Sequence, residues 1–180
     1  VSGEGVFLVG GRNADGPVAT VWRAAINAQG ALEPWAPNAG LPAPRADAAA
    51  AIIGSHVFVW GGEDANGPTA EVLRGEIAAE GEEIGSVSGW FIAAEGAVEE
   101  TNLPAAHRGS MGFTANGILY SVGGDGSDGQ LLWNIPDADG NLTGWKTEPA
   151  SDLPAELGLA DAATIVSGSH AFLVGGTSNG

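Results

Sequence analysis

The feature that most constrains this chain is a short apolar segment that ends in Gly-Gly and occurs four times. The copies are Val6–Gly11, Val57–Gly62, Ile118–Gly124 and Ala171–Gly176. Counted from the first glycine of each pair, the intervals are 51, 62 and 52 residues. A recurring interval of this length is typical of repeat architectures, in which each repeat is one small structural unit.

Other markers keep the same period. Trp35, Trp90 and Trp145 are 55 residues apart each time, and Leu-Pro occurs at 41–42, 103–104 and 153–154. Several independent markers in register make a chance recurrence a poor explanation. The tryptophans recur, so we expect them to pack between strands or repeats. Trp22, Leu73 and Trp133 occupy similar third-strand positions, and we expect the same role for them.

Within one repeat the local signals are those of β-strands. The apolar run Ala48–Ile53 leads through a Gly-Ser turn into the Gly-Gly segment, and an alternating segment around Ala70–Ile77 follows a polar loop. Glycine, serine and asparagine at these turns accept positive φ. No segment sustains a 3.6-residue period. The alanine-rich run 161–166 matches 47–53 and is therefore predicted to be a strand.

These residues resemble kelch repeats. The resemblance consists of a strand closing on Gly-Gly, an Arg about nine residues before the turn (Arg45 and Arg108), and a Trp 21 to 28 residues after the glycines. A Gly-x-Leu…Trp…Leu-Pro pattern, which runs from Gly30 to Pro42 and from Gly140 to Pro154, is similar to that of bacterial multi-repeat kelch-like proteins. The middle repeat spaces this pattern out, and Leu159 replaces the Arg in the last. The resemblance covers nearly the whole chain and implies a β-propeller with one blade per repeat, but no single activity.

We therefore predict an all-β chain of four-stranded antiparallel kelch-type blades, about three in number, within a single domain over 1–180. The predicted blade parts are 1–44, 45–105, 106–158 and 159–180. With the Gly-Gly strand as the second of each blade, they hold three, four, four and two strands. Both ends then carry a second strand and cannot complete one shared blade. We expect an incomplete propeller, either part of a longer chain or closed by a partner, whose open edges favour association.

Composition restricts the partners. The chain has 22 acidic and 6 basic residues, for a net charge of −16. Such a surface repels phosphate backbones, so nucleic acid is not an expected partner. The apolar runs are too short to span a bilayer, so membrane insertion is not expected. The absence of Cys excludes disulfides, thiolate metal sites and Cys nucleophiles.

Catalytic motifs are missing from the sequence. It contains no Gly-x-Ser-x-Gly, no His-Glu-x-x-His and no phosphate-binding loop followed by Lys. Among kelch propellers, the copper-radical oxidases use a Cys cross-linked to Tyr, and this chain has no Cys. The sequence favours a non-enzymatic role without a cofactor and leaves catalysis open.

Two acidic loops are candidate calcium sites. Asp137, Asp139 and Asn141 resemble half a calcium loop, and Asp125 and Asp128 follow a Gly-Gly pair directly. In the first repeat an ordinary turn, Asn27-Ala28-Gln29-Gly30, fills the same place as the first loop. A turn is the favoured interpretation, with calcium as the alternative.

One side of the predicted blades collects acidic loops. Loops after the second and fourth strands of an antiparallel blade emerge on the same side. The middle repeat is longer there, between Trp90 and Leu103. Two further residues depart from the repeat: Trp60, where the other copies have Val, and His107. The predicted interaction face consists of Glu63, Asp64, Glu95, Glu99, Glu100, Trp60 and His107.

The sequence leaves three functional hypotheses. The first is a protein-interaction or scaffolding segment of an extracellular or cell-surface protein, with the periplasm as a further location. The second is a carbohydrate-binding or carbohydrate-active propeller with an acidic and Trp-lined pocket. In the third, the chain is a subunit that closes through its open edges with further blades, a homo-oligomer or another protein.

Overall fold

The computed structural model describes residues 5–79, 84–92, 101–154 and 157–178. Within these ranges the regular structure is β, apart from one turn of 3₁₀ helix at Pro149–Ser151. The all-β prediction is confirmed. No helix in this part of the chain is long and apolar enough to cross a bilayer.

The strands are short and follow the repeat. In chain order they are β1 (Gly5–Val9), β2 (Arg12–Asn13), β3 (Gly16–Pro17), β4 (Val21–Ala25), β5 (Ala36–Asn38), β6 (Ala49–Ile53), β7 (His56–Trp60), β8 (Glu63–Asp64), β9 (Gly67–Pro68), β10 (Val72–Ile77), β11 (Val87–Ile92), β12 (Met111–Ala115), β13 (Ile118–Val122), β14 (Leu131–Asn134), β15 (Lys146–Thr147), β16 (Leu159–Ala160), β17 (Ala163–Ser167), β18 (His170–Val174) and β19 (Thr177–Ser178).

Four main antiparallel sheets contain most of these strands. The first sheet has the order β1-β4-β5, the second β6-β7-β10-β11, the third β12-β13-β14-β15, and the fourth is the hairpin β17-β18. The described strands of these sheets therefore number three, four, four and two, as the repeat predicted. The short pairs β2-β3, β8-β9 and β16-β19 flank the Gly-Gly segments.

The strand register corrects one sequence alignment. Leu8 pairs with Trp22, Val59 with Leu73, and Ser121 with Leu132. Leu132, rather than Trp133, is therefore the equivalent of Trp22 and Leu73, and the prediction that placed Trp133 there is wrong by one residue. Side chains alternate along a strand, so Trp133 lies on the opposite face of its sheet. There, Lys146 Nζ lies 4.7 Å from its ring centroid.

The second sheet buries both of its faces against its neighbours. On one face of the second sheet, Phe58 and Trp60 pack with Leu119 and Leu132 of the third sheet. On its other face, Val59 and Leu73 pack with Val21 and Leu41 of the first repeat. Burial of one such side chain contributes about 1.5–3 kcal/mol. Neither face of the second sheet could be exposed without losing that contribution.

Two recurring tryptophans tie a sheet to the preceding repeat. The indole N–H of Trp90 donates to the carbonyl of Ala39 at 2.7 Å, and that of Trp145 donates to Thr101 at 3.1 Å. Both acceptors stand two residues before the Leu of a Leu-Pro pair. This agrees with the predicted packing role. Trp35, directly before β5, is 47% exposed.

The Gly-Gly pairs form joints between consecutive repeats. The N–H of Gly11 donates to the carbonyl of Arg45 at 2.7 Å, that of Gly62 to His107 at 3.0 Å, and that of Gly124 to Leu159 at 3.0 Å. Arg45, His107 and Leu159 are therefore equivalent. The alignment of Arg45 with Arg108 is wrong, because Arg108 lies one residue further along.

Glycine is required at the joint for two reasons. Gly123 has φ +63°, a conformation that L-residues adopt only at a cost. A Cβ at Gly123 would also lie 2.3 Å from the carbonyl oxygen of Leu159. That oxygen belongs to the backbone of the next repeat and cannot move aside on its own.

A matched pair of alanine substitutions in the third sheet tests this requirement. Gly117→Ala, in the hairpin turn, places a Cβ in open space at φ +75° and should cost about 1–2 kcal/mol through backbone conformation alone. Gly123→Ala should cost at least about 2 kcal/mol more, because overpacking adds to the same strain. Urea unfolding followed by circular dichroism measures both; equal losses would contradict the steric account of the joint.

Candidate functional site

The predicted interaction face is only partly within the described structure. Glu63 and Asp64 form β8, directly after Gly61-Gly62. Glu95, Glu99 and Glu100 lie outside the described residues. The side chain of Glu63 is buried, whereas Asp64 is half-buried and accepts a hydrogen bond from the N–H of Asn66 at 2.6 Å within its own turn.

Glu63 is the centre of a row of charges that crosses three repeats. We call Asp47, Arg12, Glu63, Arg108 and Asp125 the charged row. The Glu63 carboxylate accepts hydrogen bonds from Arg12 and Arg108. Arg12 also donates to Asp47 at 3.0 Å, and Arg108 Nε donates to Asp125 at 3.2 Å. Arg12, Glu63 and Asp125 each follow a Gly-Gly pair, so the joints place them side by side.

The charged row changes the electrostatics expected of this side. Hydrogen bonds from Arg12 and then Arg108 hold the pKa of Glu63 below its ordinary value. The same contacts, with Glu63 as the largest contributor, raise the pKa of both arginines. The Glu63 side chain is only 12% exposed. This carboxylate is therefore neutralised by partners of its own chain and is not free for a cationic ligand.

Trp60 is part of the core between the second and third sheets. It is fully buried, and its ring centroid lies 5.6 Å from that of Trp145 in a tilted arrangement. Its large side chain covers Gly112 of β12, where a Cβ would lie 2.8 Å from the indole ring. Trp60 thus enlarges one inter-sheet contact and is not available on a surface.

His107 is also buried, at the position that Arg45 occupies in the preceding repeat. Burial lowers the pKa of His107, opposed by a backbone hydrogen bond with Ala105. Arg45 uses the same place to donate to the Gly61 carbonyl at 3.3 Å and to pair with Glu71. Matching Arg45 with Arg108 in the sequence made His107 look like a departure from the repeat.

The Asp137 loop is a closed turn. Asp137 Oδ1 accepts hydrogen bonds from the N–H groups of Asp139 at 2.9 Å and Asn141 at 2.8 Å. These bonds from Asn141 and Asp139 lower the Asp137 pKa, with a smaller contribution from the charge of Arg74. Arg74 itself donates to Asn141 Oδ1 at 2.9 Å and to the Asp139 carbonyl at 2.8 Å.

Asp125 and Asp128, the carboxylates of the second acidic loop, do not come together at one site. Asp125 belongs to the charged row, and Asp128 is an exposed turn residue with φ +50°. In the described ranges, no group of three or more His, Cys, Asp or Glu side chains is placed to hold a metal ion. Calcium binding stays a prediction.

A cavity that the sequence did not indicate lies among β1, β6, β12 and β17. We call β6, β12 and β17, the first strands of the second, third and fourth sheets, the inner strands. This inner-strand cavity has a volume of about 410 Å³ and is lined from β1, β6, β7, β12 and β17. Its walls are apolar with two threonines. The lining residues are Gly5, Phe7, Val9, Ala50, Ala51, Ile52, Val57, Gly112, Phe113, Thr114, Thr164 and Val166. Small side chains in the run 48–53 were the only sequence signal of a close approach here.

Two apolar faces are exposed at the first and fourth sheets. We call Val6, Leu8 and Trp22 the first end face, and Ile165, Phe172 and Val174 the last end face. Leu8 is 57% exposed, whereas Val59, at the same place in the second sheet, is 3% exposed. Phe172 is 51% exposed, whereas its equivalent Phe58 is 1% exposed. The residues are of the kind that is buried in the second sheet, but the described residues place no further sheet against these two faces.

Comparison with known proteins assigns no family to these features. No protein-family model and no curated protein matches this chain. The resemblance to kelch repeats therefore depends on the repeat residues themselves. Function has to be argued from the two end faces, the inner-strand cavity and the charged row.

Replacing Glu63 by Gln tests the charged row. At neutral pH the variant should be less stable than the wild type, because two arginines lose their shared carboxylate. The folded-state pKa of Glu63 is lowered, so its contribution is present above the ordinary glutamate pKa of about 4.3 and is lost as the pH falls through the folded value. The difference in unfolding free energy should therefore shrink between about pH 7 and pH 3, and also with added salt.

Asp15→Asn is the matched control for this prediction. Asp15 is exposed in the turn that follows Arg12, and its substitution removes the same charge. It should change stability by less than about 0.5 kcal/mol. Equal effects of the two substitutions at neutral pH would show that only net charge matters and that the row contributes nothing specific.

Proposed function

We propose that this chain is a non-enzymatic protein-interaction and scaffolding segment, built as part of a kelch-type propeller, that binds through its two end faces. The observation that carries the proposal is the exposure of Leu8 and Phe172 at positions that are buried in the second sheet. Exposed contiguous apolar surface on a small protein marks an interaction site.

The two end faces correspond to the two sides of a contact that already exists between neighbouring sheets. Between the second and third sheets, the Phe58 and Trp60 face of one sheet packs against the Leu119 face of the next. Phe172 and Val174 are the fourth-sheet equivalents of Phe58 and Trp60, and Val6 is the first-sheet equivalent of Leu119. The last end face of one copy can therefore pack on the first end face of another copy. Such a contact joins two different surfaces.

Burial gives this contact its driving force. Each large side chain covered on binding contributes on the order of 1.5–3 kcal/mol before the cost of association is subtracted. Three such side chains lie on each face. Trp35, whose counterparts Trp90 and Trp145 donate to a preceding repeat, adds a further exposed contact at the first sheet.

The location follows from the resemblance rather than from physics. Bacterial kelch-like multi-repeat proteins, together with a net charge of −16, support an extracellular or cell-surface protein, with the periplasm as a second location. The acidic surface favours protein partners over nucleic acid.

The carbohydrate hypothesis has less support. A sugar site needs aromatic rings and carboxylates that converge. The described lining of the inner-strand cavity contains Phe7 and Phe113 but no Trp and no acidic residue. The exposure of Trp22 and Trp35 is explained by the absence of a sheet before the first among the described residues.

A mixing experiment tests the proposal. Wild type should self-associate with rising concentration in analytical ultracentrifugation. Leu8→Ser disables the first end face and Phe172→Ser the last, so each variant alone should remain monomeric. An equimolar mixture should form dimers that grow no further, because each variant retains the face that the other has lost.

Ile135→Ser is the matched control. Ile135 is a large apolar residue, 48% exposed, that belongs to neither end face, and its substitution should leave association unchanged. A wild type that stays monomeric at every concentration, or single variants that associate as wild type does, would contradict binding through the end faces.

A further inference from the structure

One histidine is buried at the joint between the second and third repeats. Of the chain's three histidines, His56 is half-buried and His170 is exposed, whereas His107 is only 2% exposed. The carbonyl of His107 accepts the N–H of Gly62 at 3.0 Å. A Cβ at Gly61 would lie 2.8 Å from the same oxygen. The position of this one residue therefore decides whether the joint is closed.

The surroundings of the His107 ring favour its neutral form. The ring atom Nε2 is buried and has no hydrogen-bond partner among the described residues. Burial lowers the pKa of His107, opposed by a backbone hydrogen bond with Ala105. Protonation would place a charge and an unpaired N–H donor in the interior, where both are costly. Protonation of the ring and closure of the joint therefore oppose each other.

The preceding repeat shows what a cation needs at this position. Arg45, the equivalent of the histidine, donates to the Gly61 carbonyl at 3.3 Å and pairs with Glu71. The N–H of Gly61 donates to the carbonyl of Glu71 at 3.1 Å. The N–H of Gly123 donates in the same way to that of Gln130 at 3.0 Å, so Gln130 is the equivalent of Glu71. The third repeat thus has an uncharged amide where the second has the carboxylate that pairs with the cation.

The charged groups around this joint are engaged elsewhere. Burial, and not a neighbouring charge, is the main cause of the lowered His107 pKa, and no charged side chain contributes to it. All of the charged residues on the surrounding elements except Asp161 form ion pairs with one another or with Arg12. They are Arg45, Asp47, Glu63 and Glu71 of the second repeat, Arg108 and Asp125 of the third, and Asp161 of the fourth.

We propose that His107 makes the joint between the second and third repeats sensitive to acid: a proton on its imidazole drives the ring out of the interior and releases the Gly62 N–H from the His107 carbonyl. The equivalent positions at the two neighbouring joints hold Arg45 and Leu159. Arginine keeps its charge and leucine has none, so neither responds to pH in the range where histidine does. Mild acid therefore loosens one joint out of three.

The sign and the range of the effect follow from burial. The folded-state pKa of His107 is lowered, so the unfolded chain takes up the proton first, at the ordinary histidine pKa of about 6.5. The stability contributed by the neutral ring is fully present above about pH 6.5 and is lost as the pH falls from there through the folded value.

His107→Leu removes the titrating group and introduces the residue that the fourth repeat has at this position. In urea unfolding between about pH 8 and pH 5, the unfolding equilibrium constant of the wild type should rise relative to that of the variant, by up to about tenfold for each pH unit below about 6.5. His170→Gln is the matched control, because it removes an exposed imidazole, and it should retain the pH dependence of the wild type.

Gln130→Glu supplies the carboxylate that the second repeat has. The imidazolium then gains a partner, so the loss of stability between about pH 6.5 and pH 5 should become smaller than in the wild type. A purely structural role of His107 would not respond to this change. The same pH dependence in the wild type and in His107→Leu, or an unchanged loss in Gln130→Glu, would overturn the proposal.

Amide exchange in the wild type locates the effect and does not depend on any variant folding. The protection factor of the Gly62 N–H should fall between about pH 7 and pH 5 relative to those of Gly11 and Gly124, because only its acceptor belongs to a titrating residue. Parallel changes at the three glycines would show that acid acts on the whole chain and not at this joint, and would overturn the proposal.

Discussion

The structure depends on one recurring hydrogen bond, from the second glycine of each Gly-Gly pair to a carbonyl of the next repeat. Gly11, Gly62 and Gly124 make it at 2.7, 3.0 and 3.0 Å. The bond fixes where the next inner strand starts, so the inner strands β6, β12 and β17 follow one another at close range. It also aligns the residues that follow the glycines, and this produces the charged row. A buried backbone N–H without this partner would cost about 1–3 kcal/mol, in addition to the lost contact between sheets.

The same joint explains why the exposed apolar faces lie on the two end sheets. A central sheet is covered on both faces, because one repeat precedes it and another follows. Within the described structure the first and fourth sheets each have a neighbouring sheet on one side only, and the two strands of the fourth are largely exposed. Leu8 and Phe172 thus stand at positions that are buried in the second sheet, but no neighbouring sheet of the described structure covers them. The predicted interaction face, by contrast, is partly neutralised by ion pairs within the chain, since Glu63 already has two arginine partners. The proposal of binding through apolar contact therefore has more support than one of binding through charge.

Much of the fold was predictable because the repeat is strong. The all-β character and the packing role of Trp90 and Trp145 followed from the repeat residues, and the strand numbers of the four sheets followed from the four-stranded blades that the kelch resemblance implies. Two alignments were wrong by one residue. Arg108 was matched to Arg45 by residue type and Trp133 to Trp22, because spacing cannot fix a ladder register to one residue. The candidate site was harder to predict. Trp60 and His107 departed from the repeat through core packing rather than function. The inner-strand cavity is lined by strands of four different sheets, and no single segment of the sequence indicates it.

Amide exchange at the four Gly-Gly pairs tests the central claim most directly. By nuclear magnetic resonance, the N–H groups of Gly11, Gly62 and Gly124 should exchange slowly, because each is bonded to a carbonyl of the following repeat. Gly176 has no following repeat among the described residues, and its N–H should exchange much faster. Similar and rapid exchange at all four glycines would show that the joints do not hold the repeats together and would contradict the account.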